Sequence, residues 1–429
     1  MPGELVHQSL PFDPADPKAA LSQLPHAAAV FALYGADAHA EPYIGRTPNL
    51  RARLERLLQP SAKHPRRLQL ASRVRRISWQ LTGSEFESLL AQFSLLEEVY
   101  GPKSLERMHL RAPAFIRYLG GNPYPRIVVT NRVNFRPGQR EADWAYGPFP
   151  SRTAAERYAE EALKLFLLRR CTFDLAPDPS YPGCVYSEMK MCLAPCYKGC
   201  TDERYAEESA AVESFLATRG EGRLVHLRTE REQASANLEF ESAAQIHAQV
   251  QRVEQVRALA SELVRPLSQL RAVILQAGAQ PDEVAVFLFE DGRLRGPAAF
   301  STIGMRIQNE QSGSSSLFAQ PLAIEAVPEQ QDVRDQGSGN REQSAVISRG
   351  LLEARMEDAL KMLTEAAGTP TTTIRQGHLA LLKRWYYRPE LKRTGEIFFP
   401  DAEGRWPVKA LLRGAGRVAA KMIAVGGAG

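Results

Sequence analysis

Apolar residues along the first hundred positions fall into two patterns. The runs AVFALY (29–34) and RISWQL (76–81) are short apolar blocks with β-branched and aromatic members and predict strands. NLRARLERLL (49–58) and EFESLLAQFSLLEEV (85–99) repeat apolar residues every three or four positions and predict helices. Leu50, Leu54, Leu57 and Leu58 form one stripe. Ser84 and Glu87 have capping-box spacing at the second helix. Further on, the pattern predicts a strand in RIVVTNRV, a helix over 152–170, and helices over most of 203–263, which holds no proline. Strand character returns over 272–301 in AVILQA, EVAVFLFE and GRLRGPAAF. The Pro- and Ala-rich residues 1–20 are expected to be a loose tail. The Ser, Gly and Gln of 306–344 are expected to be a linker without fixed structure. A helix and a compact segment with RWYYRP end the chain, and there is no internal repeat.

These patterns predict a multidomain α+β protein, because 429 residues exceed one typical core. The expected units are a small α/β module (21–110), a connecting region holding every cysteine (111–202), a helical hairpin region (203–264) and a β-rich piece (265–305). A linker (306–345) and a short mixed helical and aromatic C-terminal segment (346–429) follow. No run of 18 apolar residues and no signal-like start occur, so membrane insertion and secretion are not expected and a cytoplasmic location is.

Net charge is only +5, but its distribution is uneven. Between Arg46 and Arg76 stand nine arginines and one lysine against a single acid, Glu55. Arg51, Arg56, Lys63, Arg66, Arg67, Arg73, Arg75 and Arg76 are candidates for phosphate-backbone contact with double-stranded DNA, without sequence readout. A solvated arginine-rich surface is the plainer alternative. All five cysteines lie between Cys171 and Cys200. In a chain without an export signal, that clustering points to metal ligation rather than disulfides.

YIGRTPNLRARLERLL (43–58) resembles the second half of the GIY-YIG nuclease signature. On that resemblance Tyr43, Arg46 and Arg53 fall on catalytic positions, with Arg53 on the arginine that contacts the scissile phosphate. Two registers remain for the first triplet. One places Ala29, Val30 and Phe31 on it, with eleven residues before Tyr43, and removes the tyrosine hydroxyl that helps activate water. The other uses Tyr34, with eight. Phe31 and Tyr34 are three apart on a strand and face opposite sides. Arg46 stands where the family has a lysine. Gln92 stands where the family has its metal-binding glutamate, and Leu105 falls near the family asparagine. Glu85 lies about 10 Å from Gln92 along the helix axis and is a poor substitute. Magnesium is therefore expected only if this site is active.

The passage from YGPFPS (146–151) through LFLLRRC (165–171) to MCLAPCYKGC closely resembles the middle of the UvrC excinucleases. Cysteine steps of 13, 8 and 4 carry the likeness. The resemblance makes Cys171, Cys184, Cys192 and Cys196 ligands of a 4Fe–4S cluster, with Cys200 spare. Zinc would use the same four thiolates. ASANLEFESAAQIHAQV (234–250) is similar to the UVR motif, a helical hairpin that pairs with the matching hairpin of UvrB. Leu238, Glu239, Phe240, Glu241, Ala243 and Ala244 match it, and His247-Ala248 replaces the usual Arg-Asp. The likeness covers roughly 27–265. No carboxylate-bearing strand of the family's ribonuclease-H-like nuclease follows, and HLALLKRWYYRP and GEIFF are similar to tails of shorter, Cho-like relatives. Trp385, Tyr386 and Tyr387 suit either base stacking or a small aromatic core.

The resemblance implies a role in nucleotide excision repair or a related SOS-type response, binding DNA and a UvrB-like protein. Two functions compete: a structure-dependent endonuclease making a single incision at damaged DNA, and a binding protein with an impaired nuclease site.

Overall fold

A computed structural model describes residues 8–37, 40–58, 70–132, 143–303, 305, 349–365 and 368–426. Its strands form three four-stranded antiparallel sheets flanked by helices, an α+β arrangement as expected.

The first sheet has the order β1-β4-β2-β3, with β1 Gln8–Pro11, β2 Ala29–Tyr34, β3 Tyr43–Thr47 and β4 Arg76–Leu81. Strand β2 is an unbroken apolar run because both its faces are covered. Phe31 and Leu33 pack with Leu50, Leu54 and Leu58 of α2 (Leu50–Leu58). Val30 and Ala32 pack with Leu95 of α3 (Glu85–Tyr100). The expected loose tail is partly ordered. Gln8 pairs with Trp79 on the outer edge of β4, and Leu21 of α1 (Pro17–Leu21) is buried. An open strand edge and a free apolar face recruited residues that composition alone marks as a tail.

The second sheet, β6-β5-β7-β8, comprises β5 (Ala114–Leu119), β6 (Ile127–Thr130), β7 (Asp143–Phe149) and β8 (Arg265–Pro266). It shares a core with α4 (Arg152–Leu163), α5 (Asp202–Ala217), α6 (Glu221–Ala236) and α7 (Phe240–Ala258). The helix expected over 152–170 ends at Leu163, and the rest turns towards the cysteine loop.

The third sheet, β11-β10-β9-β12, joins two segments that sequence periodicity treats separately. Strands β9 (Ala272–Ala277), β10 (Glu283–Glu290) and β11 (Arg293–Ser301) are completed by β12 (Glu396–Phe398), whose Ile397 pairs with Ile274. The pieces 265–305 and 346–429 thus build one sheet, while the expected linker 306–345 lies outside the described residues. Helices α8 (Arg349–Glu365) and α10 (Val408–Gly426) cover the face bearing Val273, Leu275 and Val286. On the other face, Ile274 and Phe287 meet α9 (Thr372–Tyr386) and α3.

Helix α3 is therefore shared between the first and third sheets. Its Phe86 lies 5.2 Å from the Phe287 ring and 5.4 Å from Trp385. Helix α9 comes this close because position 377 is glycine, where a Cβ would stand 2.0 Å from Cζ of Phe93. The aromatic trio belongs to this junction. Trp385 is 3% exposed and donates its indole N–H to the Thr394 carbonyl at 2.9 Å. The Tyr387 hydroxyl donates to the Pro148 carbonyl at 2.9 Å. Their polar edges are engaged, so the packed-core alternative holds for Trp385 and Tyr387. Among the described residues no helix is long and apolar enough to cross a membrane.

Candidate functional site

The cysteine loop hangs from α4 and is fixed by one buried guanidinium. Arg169 is 2% exposed. Its Nε donates to the Tyr124 carbonyl at 2.9 Å, and its Nη1 reaches the Phe173 carbonyl at 2.8 Å and Sγ of Cys171 at 3.3 Å. A second arginine, Arg126, donates to the Thr172 carbonyl. Cys184 begins a single turn (Val185–Glu188), and its N–H donates to the Ser187 hydroxyl at 2.9 Å. Ala194 and Lys198 take left-handed backbone conformations, φ +57° and +59°, as the chain doubles back around Cys196.

Together these contacts enclose a cavity of about 180 Å³ lined by Cys171, Cys184, Cys192 and Cys196, with Arg169 and Phe173. Cys200 is not among its lining residues and packs instead at the edge of the second core. Burial pushes the Cys192 thiol up to about 11, opposed by the Ala194 N–H bonded to its sulfur at 3.3 Å and reinforced by Cys171, Cys196 and Cys184. Burial likewise raises Cys196. As free thiols these groups stay protonated, and a bound cation would supply the charge needed for thiolate. No three His, Cys, Asp or Glu side chains stand close enough to hold a single metal ion among the described residues. Four thiols lining one cavity form a donor set of the kind that either a 4Fe–4S cluster or a zinc ion takes. Arg169 escaped sequence reasoning as a functional residue. Its signal was an arginine two positions before the first cysteine, directly after the apolar run LFLL.

The helical hairpin of α6 and α7 turns at Asn237–Glu239, with Leu238 at φ +64°. Its inner stripe, Leu224, Leu227, Val250 and Val253, is buried, and Arg228–Glu254 (2.8 Å) and Arg257–Glu221 (2.6 Å) bridge the two helices. At the tip the pattern reverses. Leu238 is 71% exposed and Phe240 66%, between the carboxylates of Glu239 and Glu241. Two large apolar side chains thus stand together in water at the turn. Ala243 is half-buried and Ala244 exposed on the first turns of α7, beside the tip.

In the first module the strand pairing sets Phe31, not Tyr34, opposite Gly45. The Phe31 ring lies over that glycine, 6.2 Å from the Tyr43 ring, and a Cβ there would meet Phe31 Cζ at 2.8 Å. Phe31 is buried while Tyr43 is 41% exposed. Tyr34 occupies the opposite face, with the Arg76 guanidinium 4.2 Å above its ring. Asn49 caps α2 by accepting the Ala52 N–H at 3.0 Å and so sets Arg53, half-buried, in the first turn. Arg46 and the half-buried Gln92 belong to the α3 side. Glu85 is held by both ends of Arg388, at 2.8 Å each, and by Arg46 at 3.6 Å. The Arg388 hydrogen bonds, with Arg46 and Arg384 nearby, keep its carboxyl below the usual glutamate range despite partial burial. Tyr43 and Arg53 thus lie towards one face, Arg46 and Gln92 towards the other, meeting only around the edge strand β3.

The basic residues are not equivalent. Arg51 donates to the Leu24 carbonyl at 2.6 Å and to that of Ser22, tying α2 to the preceding loop. Arg75 donates to Ser72 and Val74 carbonyls at 2.7 and 2.8 Å. Arg56, Arg73 and Arg76 are exposed. Lys63, Arg66 and Arg67 lie outside the described residues.

Residues 116–215 match a family model described as UvrC/Cho excinuclease, middle domain, and residues 221–256 match the UvrB/uvrC motif. These spans contain the cysteine loop and the hairpin. The chain is similar to the UvrABC system protein C of Alcanivorax borkumensis, 29% identical over 60% of this chain and 41% of that protein. It is also similar to those of Ruminiclostridium cellulolyticum (28%, over 69% and 47%) and Carboxydothermus hydrogenoformans (28%, over 66% and 46%). The matched region spans less than half the length of these relatives. No solved structure matches.

Proposed function

We propose that this chain, a member of the UvrC/Cho excinuclease family by its middle domain and UVR motif, acts in nucleotide excision repair as a DNA-binding protein that docks a UvrB-like partner. The single observation that carries the reading is the hairpin tip, where Leu238 and Phe240 are exposed between Glu239 and Glu241. Phe240 would enter an apolar pocket of the partner, and the two carboxylates would pair with cations around it.

In this reading Cys171, Cys184, Cys192 and Cys196 hold a 4Fe–4S cluster as thiolates, with zinc as the alternative. The shared cavity, which leaves Cys200 out, supports that ligand set. When bound, the group would supply a rigid cross-link between loop segments. Arg169 and the Ala194 N–H would donate to ligand sulfurs and orient them. The N-terminal module binds phosphate through Tyr43 and Arg53 on one face, with Arg46 reaching round the edge strand from the other, but does not cut. Phe31 has no hydroxyl to help activate water, and Gln92 has no charge to anchor magnesium. The exposed Tyr43, with Arg53 in the first turn of α2, is what favours the competing reading as an active single-incision nuclease.

The test is titration of the whole protein with a UvrB-like partner. Phe240→Ala should weaken binding by about thirtyfold, the equivalent of about 2 kcal/mol for a buried aromatic anchor. Wild-type affinity in the folded variant would confine the hairpin to internal packing and end the proposal.

A further inference from the structure

Helix α10 closes one layer of the third sheet's sandwich. Its inner side, Leu411, Leu412, Ala415, Val418 and Ala419, is buried in that core. Its outer side carries Lys409, Arg413, Arg417 and Lys421, four exposed cations at every fourth position. No acid occurs anywhere in Val408–Gly426. Residues four apart are neighbours on a helix, so like charges at this spacing oppose one another and disfavour the helix itself.

Among the described residues only Arg417 of these four has a carboxylate partner that can offset this, a two-point pair with Glu396 of β12 at 2.7 and 2.5 Å. Arg413 donates to the Lys409 carbonyl at 3.3 Å. The adjacent helix of the same layer, α8, is different. Its cations Arg349, Arg355 and Lys361 alternate with acids, and Arg349–Glu353 (3.1 Å) and Lys361–Glu365 (3.9 Å) pair within the helix. The one-signed ridge is therefore a property of α10 and not of the layer.

We propose that the outer face of α10 is a second DNA-contact surface, on which Lys409, Arg413 and Lys421 meet phosphates of a duplex. The proposal rests on the reading of the protein as DNA-binding. Twelve residues of helix give a ridge about 18 Å long. Phosphates of one strand recur about every 3.4 Å along a duplex axis, so the ridge lies beside about five of them. A membrane surface is the other polyanion a basic helix could meet. Binding there needs a free apolar face to enter the headgroup boundary, and the apolar face of α10 is already buried under the sheet. Helices α8 and α10 lie on the side of the third sheet opposite α3. The ridge therefore faces away from the N-terminal module and holds a stretch of DNA separate from any bound near Tyr43.

The experiment is fluorescence anisotropy of the full chain on duplex DNA over a range of salt. The variants are Lys409→Ala/Arg413→Ala/Lys421→Ala and, as a charge-matched control, Arg349→Ala/Arg355→Ala/Lys361→Ala on α8. All six positions are exposed and alanine is the best helix former, so both variants keep the fold. The ridge variant should bind more weakly, with a slope of log K against log salt shallower by about 2.7, while the control keeps the wild-type slope. Equal slopes in all three proteins, or equal losses in both variants, overturn the ridge and leave the DNA-binding reading standing. So does binding to phosphatidylserine vesicles that depends on the ridge while duplex binding does not. A wild type that fails to bind duplex DNA overturns both.

Discussion

Glu87 is 4% exposed in the first turn of α3, where its carboxylate accepts the Gly83 N–H at 2.8 Å and its own N–H donates to Ser84 at 3.1 Å. Burial raises its pKa to about 7, outweighing the Gly83 bond. Because the folded value lies above the unfolded one, the folded protein holds the extra proton between about pH 4.5 and 7. This site's contribution is complete below that window and is lost as pH rises through it, on the order of 3 kcal/mol. Glu87→Gln should flatten the stability profile over that range, measured by denaturant midpoints at several pH values. An unchanged profile would place the pH dependence elsewhere. The capping role of Glu87 was readable in the sequence; its burial was not, because that comes from α3 being packed on two sides. The registers of Phe31 and Tyr34 were likewise indistinguishable by spacing; the structure pairs Phe31 with Gly45 and puts Tyr34 on the opposite face. The resemblance to the UvrC middle region, by contrast, pointed to the four thiols that line one cavity.

At the scale of elements, the hairpin separates stability from contact. Leu224 is fully buried between α6 and α7, whereas Phe240 stands in water. Leu224→Ala should cost about 2–5 kcal/mol, and Phe240→Ala should stay within about 0.5 kcal/mol, both read by chemical denaturation. A large loss from Phe240→Ala would mean that the tip packs within the protein. Helical periodicity exposed α2, α3 and both hairpin helices, since each presents an apolar stripe to a neighbour. It overran α4, because Phe166 and Leu168 are buried without being helical. Strand β12 was read as a tail element, since three residues carry no period.

Across the whole molecule, α3 joins the N-terminal sheet to the third sheet. Truncating its Phe86, which packs on Phe287 and Trp385, should cost about 3–5 kcal/mol. Hydrogen exchange should then quicken in both β2 and β9; faster exchange confined to one sheet would make the two independent. This junction was invisible in the sequence because its contacts link residues hundreds of positions apart, as with Arg388 and Glu85. The same junction ties Glu85 into an ion pair with Arg388 rather than leaving it for a metal. Under the proposed function the protein holds DNA without cutting it. The most direct test of that claim is an incision assay on damaged duplex with magnesium and a UvrB-like partner, run beside a binding assay. Salt-sensitive binding with no nick is the predicted result. Efficient nicking by the wild type that Arg53→Ala abolishes would contradict the account and make the N-terminal module a working endonuclease.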